Sequence, residues 1–148
     1  MLGVLGLMAA LAGTTAVQAA PSPSPRAVPF KVIVHATHPE STLPPALVAD
    51  IFLRKVKRWK NGTPIAPVDQ WMASESRRGF TRDVLKMSVL AVEHYWRQQI
   101  YARREDPPPA RGSDADVIAF VRDNPGGIGY ILAATEVGEG VKVIRLVD

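Results

Sequence analysis

Ile65-Ala66-Pro67-Val68-Asp69-Gln70-Trp71-Met72-Ala73-Ser74-Glu75-Ser76-Arg77-Arg78-Gly79-Phe80 opens as a short apolar run and closes at helical spacing. Asn61-Gly62-Thr63-Pro64 ahead of it is a turn signal, so Ile65 to Val68 reads as a strand. A helix begins around Ser76, because Phe80, Val84 and Leu85 fall on one side while Arg77, Arg78, Arg82 and Asp83 take the other. A strand that feeds a helix through a polar bend is the unit of an α/β architecture.

The pattern repeats on both sides. Toward the N-terminus, Phe30 to Ala36 is short and β-branched, a buried strand. After a polar run, Pro44 and Pro45 suit a first helical turn, where a missing N–H costs little, and Leu47, Val48, Ile51 and Phe52 place a helix at about 44 to 55. Toward the C-terminus, Val89, Val92, Trp96 and Ile100 form another helical stripe. Glu105 to Gly112, with three successive prolines, is a loop. Ser113 followed by Asp116 resembles a capping box and opens a helix through Val117, Phe120 and Val121, which Asn124-Pro125-Gly126-Gly127 ends. Ile128 to Leu132 and Val141 to Val147 read as the last strands. Together these predict one α/β domain over residues 30–148, a mixed, partly parallel sheet of about four strands flanked by four helices.

Of 148 residues, 47% are hydrophobic and 22% charged, with 13 prolines and no cysteine, which excludes disulfides, thiolate nucleophiles and thiolate zinc sites. Met1 to Ala20 carries no charge, and its apolar run from Leu2 to Ala12 has the length of a signal-peptide core rather than of a membrane span of roughly 20 residues. Residues 1–19 are therefore expected to be a signal peptide cut after Ala19. Residues 20–29, with Pro21, Pro23, Pro25 and Pro29, are expected to be an extended linker. An uncleaved anchor is the alternative, and export implies a periplasmic or secreted protein without a stable membrane span after cleavage. The net charge of +4 is mildly basic, and the basic residues are interleaved with too few aromatics for a stacking platform, which argues against nucleic acid.

In open α/β sheets ligands sit beyond the carboxyl ends of strands, beside helix N-termini, so the bend from Asp69 to Phe80 is the candidate site. Free N–H groups of the first turn favour an anion there, Ser74 and Ser76 can donate hydrogen bonds, and Arg77 or Arg78 can add charged ones. The competing reading makes Ser74 or Ser76 a plain N-cap and the arginines solvated. The run Arg54, Lys55, Lys57, Arg58 and Lys60 is either a solvated helix end or a docking surface for an acidic partner. His35, His38 and Glu40 lack the spacing of a zinc motif, and Gly126-Gly127-Ile128-Gly129-Tyr130 lacks the helix and acidic partner of a dinucleotide fingerprint. No catalytic group, metal site or cofactor motif emerges, and the expectation is a protein that is not an enzyme.

Ala49-Asp50-Ile51-Phe52-Leu53-Arg54-Lys55 leading to Trp59, the segment Gly62 to Val68, the serine-bearing turn before Phe80, and Asn124-Pro125-Gly126-Gly127-Ile128-Gly129-Tyr130 together resemble the periplasmic phosphate-binding proteins of ABC transporters, in particular short members equal to about one lobe. The resemblance covers roughly residues 30–147. It implies a single lobe of the type II periplasmic-binding-protein fold that recognises phosphate or a similar oxyanion without covalent chemistry. In that family the turn carries an arginine, an aspartate and a Ser-Gly-Thr run. Here Asp69 stands about where the arginine would be, and Ser74-Glu75-Ser76 replaces the run, so only the serines carry over. The alternative function is a scaffold that docks a protein partner and has lost its small ligand. A homodimer would supply the missing half of the cleft.

Overall fold

A computed structural model describes residues 29–148; the expected signal peptide and all but the last residue of the expected linker lie outside the described residues. Three six-residue strands form the centre: β1 (Phe30–His35), β6 (Gly127–Leu132) and β7 (Val141–Leu146). Antiparallel pairing puts β1 between β6 and β7. Two-residue strands close the edges in parallel, β2 (Thr42–Leu43) on β7 and β3 (Ala66–Pro67) on β6, giving the order β2-β7-β1-β6-β3. A separate parallel pair joins β4 (Asp69–Gln70) to β5 (Ala110–Arg111). The mixed sheet thus has five strands rather than about four. The extra pairings are too short to carry any hydrophobic alternation.

The expected strand at Ile65 to Val68 is split between β3 and β4. Val68 donates its N–H to the Ile128 carbonyl at 2.9 Å, and Asp69 donates to Pro109 at 2.8 Å. The chain therefore leaves the main sheet at Val68 and delivers Asp69 and Gln70 to a second ladder.

Helices cover both faces. On one face α1 (Pro45–Phe52) and α2 (Glu75–Phe80) bury Val48, Ile51, Phe52 and Phe80 against Val32, Val34, Ile128, Tyr130 and Ile144. Phe80 lies parallel to Tyr130 with ring centroids 4.0 Å apart. The helix expected at about 44 to 55 spans Pro45–Phe52, with Pro44 as its N-cap, and Arg54 at φ 60° turns the chain away. On the other face α4 (Asp114–Asp123) packs Val117 and Val121 onto Ile33 and Ile131. A Cβ on Gly129 would stand 2.7 Å from a Val117 methyl, so this close helix-to-strand approach depends on a residue without a side chain. The remaining helix, α3 (Val89–Arg103), buries only Val92 and Trp96 and stands at the periphery. It follows a single π-helical turn, Thr81–Leu85, that extends α2 and ends at Lys86 in the left-handed region. Among the described residues no helix is long and apolar enough to cross a membrane.

Candidate functional site

The polar bend after β4 and the N-terminus of α4 meet at the carboxyl end of β6. Between them lies an open cleft of about 340 Å3, lined by Gln70, Ser74, Glu75 and Ser76 on one side and by Gly112, Ser113, Asp114 and Leu132 on the other. Ser74 is the N-cap of α2, accepting from the Arg77 N–H at 3.3 Å, and Ser113 caps α4 by accepting from the Asp116 N–H at 3.1 Å. Each cap satisfies one donor of its first turn, which leaves the N–H groups of Glu75, Ser76, Asp114 and Ala115 without intrahelical partners. The sequence pattern placed Ser113 only as a cap. Its arrival beside Ser74 follows from the pairing of β4 with β5, which lies two residues before it.

A hydrogen-bonded floor fixes this geometry. Gln70 Nε2 donates to the Tyr130 carbonyl at 2.8 Å and to Asp114 Oδ1 at 2.9 Å. Asp114 Oδ2 in turn accepts from the Leu132 N–H at 3.1 Å and the Thr135 hydroxyl at 2.6 Å. The Ser74 hydroxyl donates to Gln70 Oε1 at 2.5 Å and lies 2.8 Å from that of the buried Ser76. Sequence reasoning missed Gln70, Ser113 and Asp114. The one available signal was the capping pattern at Ser113.

The two arginines expected to clasp an anion are placed elsewhere. Arg77 is 5% exposed and points beneath the bend. Its Nη1 donates to the Gln70 carbonyl at 2.9 Å, and its Nη2 lies 2.9 Å from Glu93 Oε1 and 3.6 Å from Asp69 Oδ2. Asp69 also accepts from the Tyr130 hydroxyl and, at 2.8 Å, from the Gln70 N–H. Burial pushes the Asp69 carboxyl above its ordinary range, against the opposing pull of Arg77. Burial, with Asp69 alongside, pushes the Tyr130 hydroxyl well above its ordinary value. Arg78 is exposed and lines a different cavity. The structure thus brings Ser74 and Ser76 together at the cleft, sets Arg77 under it and turns Arg78 away.

The other candidates separate. His35 Nδ1 meets the Thr37 hydroxyl at 2.7 Å, while His38 packs on Trp59 with centroids 4.4 Å apart and faces Glu40 at 3.7 Å. Among the described residues no group of three or more His, Asp or Glu side chains could hold a metal ion. In the basic run, Lys57 pairs with Glu105 and Lys60 with Glu40, and Trp59 tucks its indole N–H onto the Gly126 carbonyl at 3.2 Å.

The described residues form an open mixed sheet with helices on both faces and a polar cleft at the strand ends. Solved structures share this fold. The chain is similar to an ABC-type phosphate transport receptor from Vibrio cholerae, with a TM-score of 0.61 and 16% identity over 80% of this chain and 46% of that one. It is similar to PstS from Borrelia burgdorferi, with a TM-score of 0.60 and 16% identity over 80% of this chain and 47% of that one. It also matches a protein assigned as a phosphate ABC transporter substrate-binding protein, with bound phosphate, from Clostridium perfringens: TM-score 0.61, 18% identity, 80% of this chain and 44% of that one. The chain therefore spans less than half the length of the structures it matches. No protein-family model matches it, and no curated protein does so at a significant level.

Proposed function

We propose that this domain is an exported solute-binding lobe that takes phosphate or a similar oxyanion, without covalent chemistry, in the cleft between the N-termini of α2 and α4. The observation that carries the reading is the meeting of two serine-capped helix starts at one open cleft on the strand ends. The first-turn amides and the Ser113 hydroxyl are the donors, the Ser74 proton being given to Gln70 and that of the buried Ser76 to Ser74, and the two helix dipoles favour negative charge. The similarity to phosphate-transport receptors supports the same ligand class.

The affinity follows from what the cleft holds. Arg77 is committed to Asp69 and Glu93, so no buried cation faces the ligand, and two carboxylates, Glu75 and Asp114, line the same space. Three or four hydrogen bonds to a charged ligand contribute about 1.5–3 kcal/mol each, while immobilising the ligand costs about 4 kcal/mol or more. A dissociation constant near 1 mM, about 4 kcal/mol, is the expected result for one lobe, and tighter capture requires a second lobe from a dimer or another protein. An NMR titration with inorganic phosphate to about 10 mM tests this. Shifts concentrated at Ser74 to Ser76 and Gly112 to Ala115, weakened in Ser113→Ala, support it. Absence of any shift, or shifts confined to other residues, removes the site.

The scaffold reading is favoured by a separate observation. Trp71 and Met72 at the rim of the cleft are 64% and 48% exposed, and Trp71 lies against Gly112. A protein partner or second copy covering this rim would bury them. Gel filtration with multi-angle scattering, with and without phosphate, separates a monomer from a dimer.

A further inference from the structure

A second open groove, of about 670 Å3, lies in the elbow between the π-helical turn and the start of α3. Its lining joins three cationic side chains, Arg78, Arg82 and Lys86, to the apolar Met87, Val89 and Leu90, with Ser88 between. The elbow has a backbone cause. The π turn ends at Lys86 with φ 57°, and the Met87 N–H closes back on the Thr81 carbonyl at 3.2 Å, so the chain reverses before Ser88 caps α3. The three cations recur every four residues, and Leu90 in the same groove stands 75% exposed.

Part of this charge is free. Arg82 is engaged by its neighbour Asp83 at 2.8 Å, whereas among the described residues the side chains of Arg78 and Lys86 make no ion pair or hydrogen bond. No carboxylate lines the groove. An apolar lining that also carries a few cations, in a volume within the range of about 300–1,000 Å3 usual for small-molecule pockets, matches a ligand with a hydrocarbon tail and an anionic head. A fully charged anion would leave Met87, Val89 and Leu90 wet, and an uncharged hydrocarbon would leave the cations unused.

We infer that the elbow groove between the π turn and α3 is a binding site for a long-chain anionic amphiphile, its head at Arg78 and Lys86 and its tail along Met87, Val89 and Leu90. This site is separate from the oxyanion cleft and stands whether or not that cleft binds phosphate. Burying a methylene is worth about fourfold in affinity when complete, and less in an open groove.

Titration calorimetry of the full chain with dodecanoate, held below its micellar concentration, is the test. Binding is expected, and decanoate, two methylenes shorter, binds at least about fourfold more weakly. Arg78→Gln with Lys86→Gln, both at exposed positions, weakens dodecanoate binding at least about tenfold without lowering the melting temperature. Leu90→Ser weakens it while leaving any phosphate-induced NMR shifts in place. Three results would each overturn the inference: no binding of dodecanoate, equal binding by the wild type and the double glutamine variant, or equal binding by an uncharged amphiphile of the same chain length. A glutamate-rich peptide that binds the groove where dodecanoate does not would overturn it as well, assigning the cations to a protein partner.

Discussion

Replacing Arg77 with methionine decides whether this residue braces the bend or serves a ligand. Methionine keeps most of the aliphatic volume and removes the guanidinium, which touches Glu93, Asp69 and the Gln70 carbonyl. The Asp69 side chain is 14% exposed and the Glu93 side chain 37%, so Glu93 regains water when Arg77 goes and Asp69 does not. At 3.6 Å the gross attraction between Arg77 and Asp69 is about 4–5 kcal/mol for an effective dielectric near 20. Stranding one member of a buried pair costs about 3–5 kcal/mol, a fall in melting temperature of about 15 °C for a domain of this size. Urea denaturation of Arg77→Met, Asp69→Asn and the double variant completes a cycle, in which the coupling is expected to reach about 1–3 kcal/mol. An Arg77→Met protein within about 0.5 kcal/mol of wild type would refute the reasoning and return the guanidinium to the pool of candidate ligands.

Glu75→Gln removes a carboxylate from the cleft wall; a like charge about 5 Å away in an open, hydrated site opposes an anion by about 1 kcal/mol, so phosphate should bind roughly fivefold more tightly, and an unchanged titration would place Glu75 outside the ligand's reach. Gly126→Ala sets a Cβ 1.9 Å from the Pro64 carbonyl oxygen, where only backbone movement relieves the clash, and should cost about 3 kcal/mol or more in urea denaturation. Asp69, whose folded pKa burial raises, gives a stability contribution that is complete below the unfolded value near 3.9 and is lost as the pH rises through the higher folded value. Asp69→Asn mimics the protonated acid and should therefore gain on wild type as the pH climbs from about 4; a stability difference that stays flat to about pH 8 would contradict the raised value.

The elements that could be read from the chain are those whose signals are local. Val32, Ile33 and Val34 are β-branched or apolar in succession because β1 is buried on both faces, and Ser113 announces α4 because its hydroxyl caps the helix three residues on. Strand splitting at Val68 and the two-residue ladders left no trace, since two paired residues carry no period to detect.

Arg77 shows the limit most sharply. By spacing it belongs to the polar side of α2, and one arginine beside another reads as solvent-facing. Its burial depends on Asp69, eight positions earlier, and on Glu93, sixteen later, which α3 carries back across the bend. The sign that existed was Asp69 itself, a carboxylate closing an apolar strand where water is excluded and a charged partner is required. The cleft divides in the same way. Ser74 and Ser76 were legible because they share a turn, whereas Ser113 and Asp114 join them only after the sheet sets the end of β6 between the two helix starts. A site assembled from two such turns has its donors written locally and its shape written in the topology. The serines could therefore be named from the sequence, while the absence of a cation among them required the fold.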